Sequence, residues 1–223
     1  MSKPKAWVKL FAYAIERLSA ARLPKNAWSF GGGTVLMLKY NHRFSKDIDI
    51  FFRDAQLLSA VSPRINDASE ENILDYAEHT RFTKIQFPDG EVDFIVSPQI
   101  TNCHPQFEDV FGERVYVDSP VEIVAKKIRF RAEEFKPRDV FDLAVVYTMQ
   151  KDGLLENVFS FAAQVETLRE RIDALAESGQ LEQALQSLAI APGGEKYRGK
   201  ELGACRQFLE DAADKLEKTH NPA

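Results

Sequence analysis

Phe30-Gly31-Gly32-Gly33-Thr34-Val35-Leu36-Met37-Leu38-Lys39, running on through Arg43 and Ser45 to Asp47-Ile48-Asp49-Ile50-Phe51-Phe52, decides how the chain is read. Consecutive glycines let a backbone turn tightly and approach a bound group with no Cβ in the way. The apolar run at 35–38 predicts a short helix whose first amides would point at an anion. After the polar loop 40–46, a two-residue alternation puts Asp47 and Asp49 on one face of a strand and Ile48 and Ile50 on the other. Two carboxylates side by side repel each other unless a cation lies between them. Mg²⁺ binds through one or two carboxylates together with substrate phosphate oxygens. A glycine turn for phosphates, followed by a carboxylate pair for metal, is the least equipment needed to move a nucleoside phosphate. A plain turn before a solvated strand would not explain why Phe51 and Phe52 follow the acidic face directly.

Outward from that stretch, bulk properties narrow the class. The chain's 223 residues allow one large domain or two small ones. A hydrophobic content of 44% with 28% charged residues is ordinary for a soluble globular protein. The net charge of −5 means that nucleic-acid contact would need a local basic patch. Cys103 and Cys205 lie far apart with no CxxC partner, as expected for reduced thiols in a cytoplasmic protein. Lys3 and Lys5 precede a segment interrupted by Lys9, Glu16 and Arg17, which is no secretory leader. No apolar run reaches the roughly 18 residues that suggest a membrane span. Cytoplasmic location is the expectation.

Along the chain, residues 5–22 carry Leu10, Phe11, Ala14, Ile15 and Leu18 at helical spacing, and Pro24 closes that helix. Residues 27–30 predict a first strand, 56–61 a helical turn or two, and 71–77 a second short helix. Residues 81–87 and 91–96 alternate on either side of Pro88-Asp89-Gly90, which reads as a β-hairpin. Residues 99–112 read as loop, with His104 a surface histidine, and 115–117 as a last short strand. Ser119-Pro120-Val121-Glu122 starts a helix with Val121, Val124, Ala125, Ile128 and Ala132 as its apolar stripe. Another helix starts at Lys136-Pro137-Arg138-Asp139. A long amphipathic segment at 154–177, a continuation at 181–188, a linker at Pro192-Gly193-Gly194 and a helix at 201–218 follow, with 220–223 fraying. The pattern is α/β (α+β): a mixed sheet in an N-terminal domain, 1–118, and a helical domain, 119–223, completing a nucleotide cleft.

Gly32-Gly33, thirteen residues, then Asp47-x-Asp49 resembles the nucleotidyltransferase signature of the polymerase-beta-like superfamily. The fuller string Gly32-Gly33-Thr34-x-Leu36-x-Leu38, then Arg43-x-Ser45-x-Asp47-Ile48-Asp49-Ile50-Phe51, is similar to the AbiEii/AbiGii (MenT-like) toxin family. The resemblance implies the nucleotidyltransferase fold and transfer of a nucleoside monophosphate from an NTP with Mg²⁺ (or Mn²⁺). It also implies a toxin of a toxin–antitoxin or phage-defence pair, with a cognate antitoxin protein as partner. Superfamily members carry a third carboxylate on a later strand, and Asp93 in Val92-Asp93-Phe94-Ile95-Val96 fits, with Glu91 as the substitute. The later strings Ala125-Lys126-Lys127-Ile128 and Lys136-x-Arg138-Asp139-x-x-Asp142-Leu143 match the family's second half.

By that match Asp47, Asp49 and Asp93 are the metal ligands, and with Lys126 the catalytic set. Gly32, Gly33, Thr34, Arg43, Ser45, Lys126, Arg129, Asp139 and Asp142 are nucleotide contacts. Asp139 or Asp142 would complete the site or else anchor helix packing. The acceptor is tRNA or another RNA, or a protein. A small-molecule nucleotidyltransferase of the antibiotic-modifying kind, and a non-catalytic nucleotide- or partner-binding protein on the same fold, are the alternatives.

Overall fold

The computed structural model describes residues 6–65 and 72–220. It divides into two compact units: Met1–Lys39, Ser45–Gln99 and Pro105–Ser119 form one, and Tyr40–Phe44, Ile100–His104 and Pro120–Ala223 the other. Two short segments from the N-terminal half, Tyr40–Phe44 and Ile100–His104, belong to the second unit.

The first unit is a seven-stranded mixed sheet. Its strands are β1 (Trp28–Gly31), β2 (Ile48–Phe52), β3 (Asp75–His79), β4 (Phe82–Phe87), β5 (Gly90–Val96), β6 (Gln106–Val110) and β7 (Glu113–Val117), in the order β3-β4-β5-β2-β1-β7-β6. β1 runs antiparallel to β2 and parallel to β7, while β2 runs parallel to β5. In β2 and β5 every second residue is buried (Ile48, Ile50 and Phe52; Val92 and Phe94), and Asp49, Glu91 and Asp93 fall at the alternate positions. Helix α1 (Ala6–Ala20) buries Trp7, Leu10, Phe11, Ala14 and Leu18 at its three-and-four spacing and packs on β2 and β5. Helix α2 (Gly32–Tyr40) follows β1 without an intervening loop.

Two sequence expectations fail in this unit. The segment expected as a second short helix contains β3, an edge strand whose five residues are all exposed; Glu71, where that helix was to start, lies outside the described residues. An exposed edge strand leaves no burial alternation for sequence to display. The expected loop 99–112 contains β6, which pairs with β7 through the two-residue turn Phe111-Gly112, with φ of 53° and 84°. Positive φ at both central residues is the mirror-image turn that suits strand twist.

The second unit is helical: α3 (Pro120–Arg131), α4 (Pro137–Glu156), α5 (Val165–Glu177), α6 (Gln180–Ser187) and α7 (Glu201–His220). Its core includes Phe135, Phe141, Leu154, Phe161, Leu168, Ile172 and Phe208. The expected continuous helix 154–177 is broken at Asn157. That side chain donates to Gly153 O at 2.8 Å and accepts from Asn102 N at 2.8 Å, and a 3₁₀ segment, Val158–Gln164, leads into α5. Among the described residues no helix is long and apolar enough to cross a membrane. The expected fraying at 221–223 lies outside the described residues.

Pro192-Gly193-Gly194, expected as a linker, is docked onto the segment Tyr40–Phe44. Gly193 N donates to Asn41 O at 2.9 Å and Phe44 N to Ala189 O at 2.8 Å. A Cβ on Gly194 would stand 1.8 Å from the His42 carbonyl oxygen, so only glycine allows this approach. Gly194→Ala should therefore lower stability by about 1–3 kcal/mol or more, as overpacking against backbone does. Gly203→Ala, near the start of α7 with open space around its Cβ, should instead raise it by about 0.5–1 kcal/mol through helix propensity. Urea denaturation of both variants checks the opposite signs.

Candidate active site

One rung of the sheet brings the candidate residues together. Gly31 on β1 pairs with Asp49 on β2, Asp49 with Asp93 on β5, and Asp93 with Lys84 on β4. Facing residues on adjacent strands have their Cβ atoms about 4.5–5.5 Å apart. Two carboxylates thus stand next to each other, flanked by an ammonium on one side and by glycine on the other.

The glycine turn is shaped by Asp49. Gly32 has φ of +70°, and a Cβ on it would fall 1.8 Å from Asp49 Oδ2. Only glycine both adopts this left-handed conformation freely and leaves room for the carboxylate. Gly31 is nearly as constrained, with its virtual Cβ 2.6 Å from the Phe51 ring. α2 begins at Gly32, and Gly33 and Thr34 complete its buried start. The Thr34 hydroxyl donates to Asp47 O at 2.6 Å, tying the helix start to the entry of β2. Ser45 N lies 3.2 Å from the Met37 sulfur. Free amides at a helix start attract anions, and the turn sets the start of α2 beside the Asp49 carboxylate.

The carboxylates are not equivalent. Asp47 Oδ1 accepts from Glu91 N at 3.2 Å, which fixes one of its oxygens to the start of β5. Asp93 Oδ2 accepts from Lys84 Nζ at 2.9 Å, while Asp93 Oδ1 is buried with no hydrogen-bond partner. Burial, and then the nearby Asp49 charge, push the Asp93 carboxyl up to about 6 against the pull of Lys84. A buried carboxylate oxygen beside a second carboxylate is what a divalent cation relieves. Among the described residues no three His, Cys, Asp or Glu side chains are grouped as a metal ion would need. Asp49 and Asp93 are two carboxylates on one rung, the number that Mg²⁺ uses together with phosphate oxygens.

In the second unit, several residues expected at the nucleotide instead face one another. Arg43 Nε and Nη2 reach the two Asp142 oxygens at 2.6 and 2.7 Å. Lys127 Nζ lies 2.6 Å from Asp139 Oδ1 and 2.5 Å from Asp142 Oδ2, and Arg131 Nη2 2.7 Å from Asp139 Oδ1. Asp139 and Asp142 are 0% exposed and Arg43 3%. Of the two roles open to Asp139 and Asp142, these ion pairs are the packing one, an internal network that also holds Arg43. Asp139 also accepts from Lys136 N at 3.2 Å at the head of α4. Arg129 is exposed and reaches the 3₁₀ segment, with Nη1 3.4 Å from Ser160 O. Lys126 is buried with Nζ 3.4 Å from Glu122 Oε1, and Glu122 in turn accepts from Ile100 N and Thr101 N at 3.1 and 2.9 Å.

Sequence reading gave no role to His42, Lys127 or Arg131, three members of this network. His42, wholly buried, holds Asp142 Oδ1 at 2.7 Å through Nε2 and stacks on Phe141 at 5.7 Å. Lys127, not its neighbour Lys126, faces the aspartates. The signal was present: Lys127 and Arg131 are four apart on one helix, Asp139 and Asp142 three apart on the next, and such pairs share a helix face.

Burial alone would raise the Asp142 carboxyl; Arg43, Lys127 and the His42 bond overcome it and hold the group well below the usual 3.8. A folded value below the unfolded one gives stability that is complete above pH 3.8 and lost as pH falls through the folded value. Asp142→Asn takes the carboxylate from buried Arg43 and one of two from Lys127, so unfolding free energy at neutral pH should drop by about 3–5 kcal/mol. The gap from wild type should narrow below pH 3.8, which denaturation at stepped pH measures.

Comparison with known proteins agrees with this geometry. A crystal structure from H. pylori, described as that of a candidate nucleotidyltransferase, matches with a TM-score of 0.52 at 17% identity, covering 95% of this chain and 94% of its own. The solution structure of the antibiotic-resistance factor ANT(2'')-Ia covers 96% of this chain and 97% of its own, with a TM-score of 0.38 and 14% identity. No curated protein matches. The fold is that of the nucleotidyltransferases. The family model described as nucleotidyl transferase AbiEii toxin, type IV toxin–antitoxin system, matches residues 15–218. With its glycine turn, its paired aspartates and a match over nearly its whole length, the chain belongs to the AbiEii family of nucleotidyltransferase toxins.

Proposed function

We propose that the protein transfers a nucleoside monophosphate from an NTP, with Mg²⁺ or Mn²⁺, onto an RNA acceptor such as tRNA, and that a cognate antitoxin opposes it. The observation that carries the metal-dependent reading is the register match of Asp49 with Asp93 at the start of α2. Asp49 and Asp93 would hold the cation, with Asp47 supporting the entry of β2. Such a cation would supply positive charge to offset that of the triphosphate. The amides of Gly32 and Gly33 and the start of α2 would orient the phosphates, leaving little else to be done beyond positioning and electrostatics.

Asp93 Oδ1 is the oxygen available to a cation or to the proton of the acceptor hydroxyl. Arg43, Asp139 and Asp142 have no part in this scheme. RNA is chosen over protein as acceptor from the family's character, and labelling decides it.

Incubation with each labelled NTP, Mg²⁺, and total cellular RNA or protein should label RNA. Asp49→Asn should lower incorporation by about 10²-fold or more, the usual loss when one preorganised charge-stabilising group is removed. Expression without the antitoxin should slow bacterial growth, and Asp49→Asn should relieve it. Asp109→Ala, an exposed residue whose Oδ1 accepts from Gly112 N at 3.1 Å in the β6–β7 turn, should leave both readouts unchanged. Labelled protein in place of RNA would move the acceptor assignment; label retained by Asp49→Asn would remove the metal site.

A further inference from the structure

Two carboxylates on β5 share one lysine, and a third on β2 stands beside them. Lys84 Nζ on β4 lies 2.6 Å from Glu91 Oε2 and 2.9 Å from Asp93 Oδ2, and Asp93 stands beside Asp49 on the same rung. The lysine is held at two points, and these bonds keep its ammonium charged although partial burial opposes that. Holding Asp93 by Oδ2 leaves Oδ1 buried and without a hydrogen-bond partner.

We infer that Lys84 is a resident countercharge that makes cation binding at Asp49 and Asp93 conditional on the phosphates of the nucleotide. This rests on the metal-dependent reading proposed above. Three neighbouring carboxylates without the lysine would attract a hydrated divalent cation unaided. A fixed ammonium touching two of them cancels part of that field and repels a second cation. Two protein carboxylates are then too few, and the missing negative charge and oxygens come with the triphosphate. Metal and nucleotide are thereby bound together. Lys84 is a positioning residue: it touches neither substrate nor metal in this scheme and acts through Asp93.

The probe is Mn²⁺ alone, followed by the loss of its free electron-spin-resonance signal as protein is added, with and without a non-hydrolysable ATP analogue. Wild type should bind Mn²⁺ weakly alone and much more tightly with the analogue. Lys84→Met should bind Mn²⁺ alone about tenfold or more tightly than wild type, because a like charge a few ångströms away has been removed. Lys84→Arg should behave as wild type, and adding Asp49→Asn to Lys84→Met should abolish the gain. Lys84→Gln carries the same comparison if circular dichroism shows Lys84→Met unfolded. Equal or weaker binding by the neutral variants would overturn the countercharge role, while analogue-dependent binding by wild type that Asp49→Asn abolishes would leave the metal site standing. Wild type that binds no Mn²⁺ even with the analogue would overturn both.

Discussion

The space a side chain would fill at Gly32 is occupied by the Asp49 carboxylate. A side chain at Gly32 would have to occupy the position of the Asp49 oxygen, and the left-handed backbone there would be strained even if it could. Satisfying both at once sends the chain from β1 straight into α2, with the helix start at the acidic rung. The order of strands completes the arrangement: β2 is interior to the sheet, so Asp49 has Gly31 on one side and Asp93 on the other. Neither position could be reached by a short slip in register, since a one-residue shift would exchange Asp49 for a buried isoleucine.

The second unit solves a different electrostatic problem. Two fully buried aspartates would be untenable alone, and they are matched by Arg43, Lys127, Arg131 and the ring of His42. A guanidinium bound through two nitrogens to two oxygens fixes direction as well as charge. This gives the segment Tyr40–Phe44 a definite place, reinforced by backbone bonds to Ala189 and Gly193. Arg43 lies close in sequence to both the glycine turn and the aspartate strand, which is why it reads as part of a signature although its charge is directed elsewhere.

Much of the sheet's centre was legible because its residues announce themselves locally. Asp47–Phe52 alternates, Pro88-Asp89-Gly90 marks the hairpin, and the Gly-Gly to Asp-x-Asp spacing is specific to a family. β3 and β6 were not legible: one is wholly exposed and the other depends on pairing with β7, and neither condition leaves a local periodicity. The break at Asn157 is set by a hydrogen bond from Asn102, distant in sequence. The pairing of Asp49 with Asp93 followed from resemblance, whereas Lys84 had no motif and is visible only in strand register. Asp139 and Asp142 left two roles open in the sequence. An aspartate's position in a string does not say whether its partner is a ligand or an arginine from another segment.

Because the chain passes from one unit to the other five times, its evolution is constrained in a way that a boundary at residue 119 would conceal. Relatives could not trade helical halves by a single genetic crossover. A chimera joined there would keep Arg43 and His42 from one parent and receive Asp142, Ala189 and the Gly193-Gly194 pair from the other. Those residues must therefore change together or not at all, and the sheet and the helices are inherited as one unit.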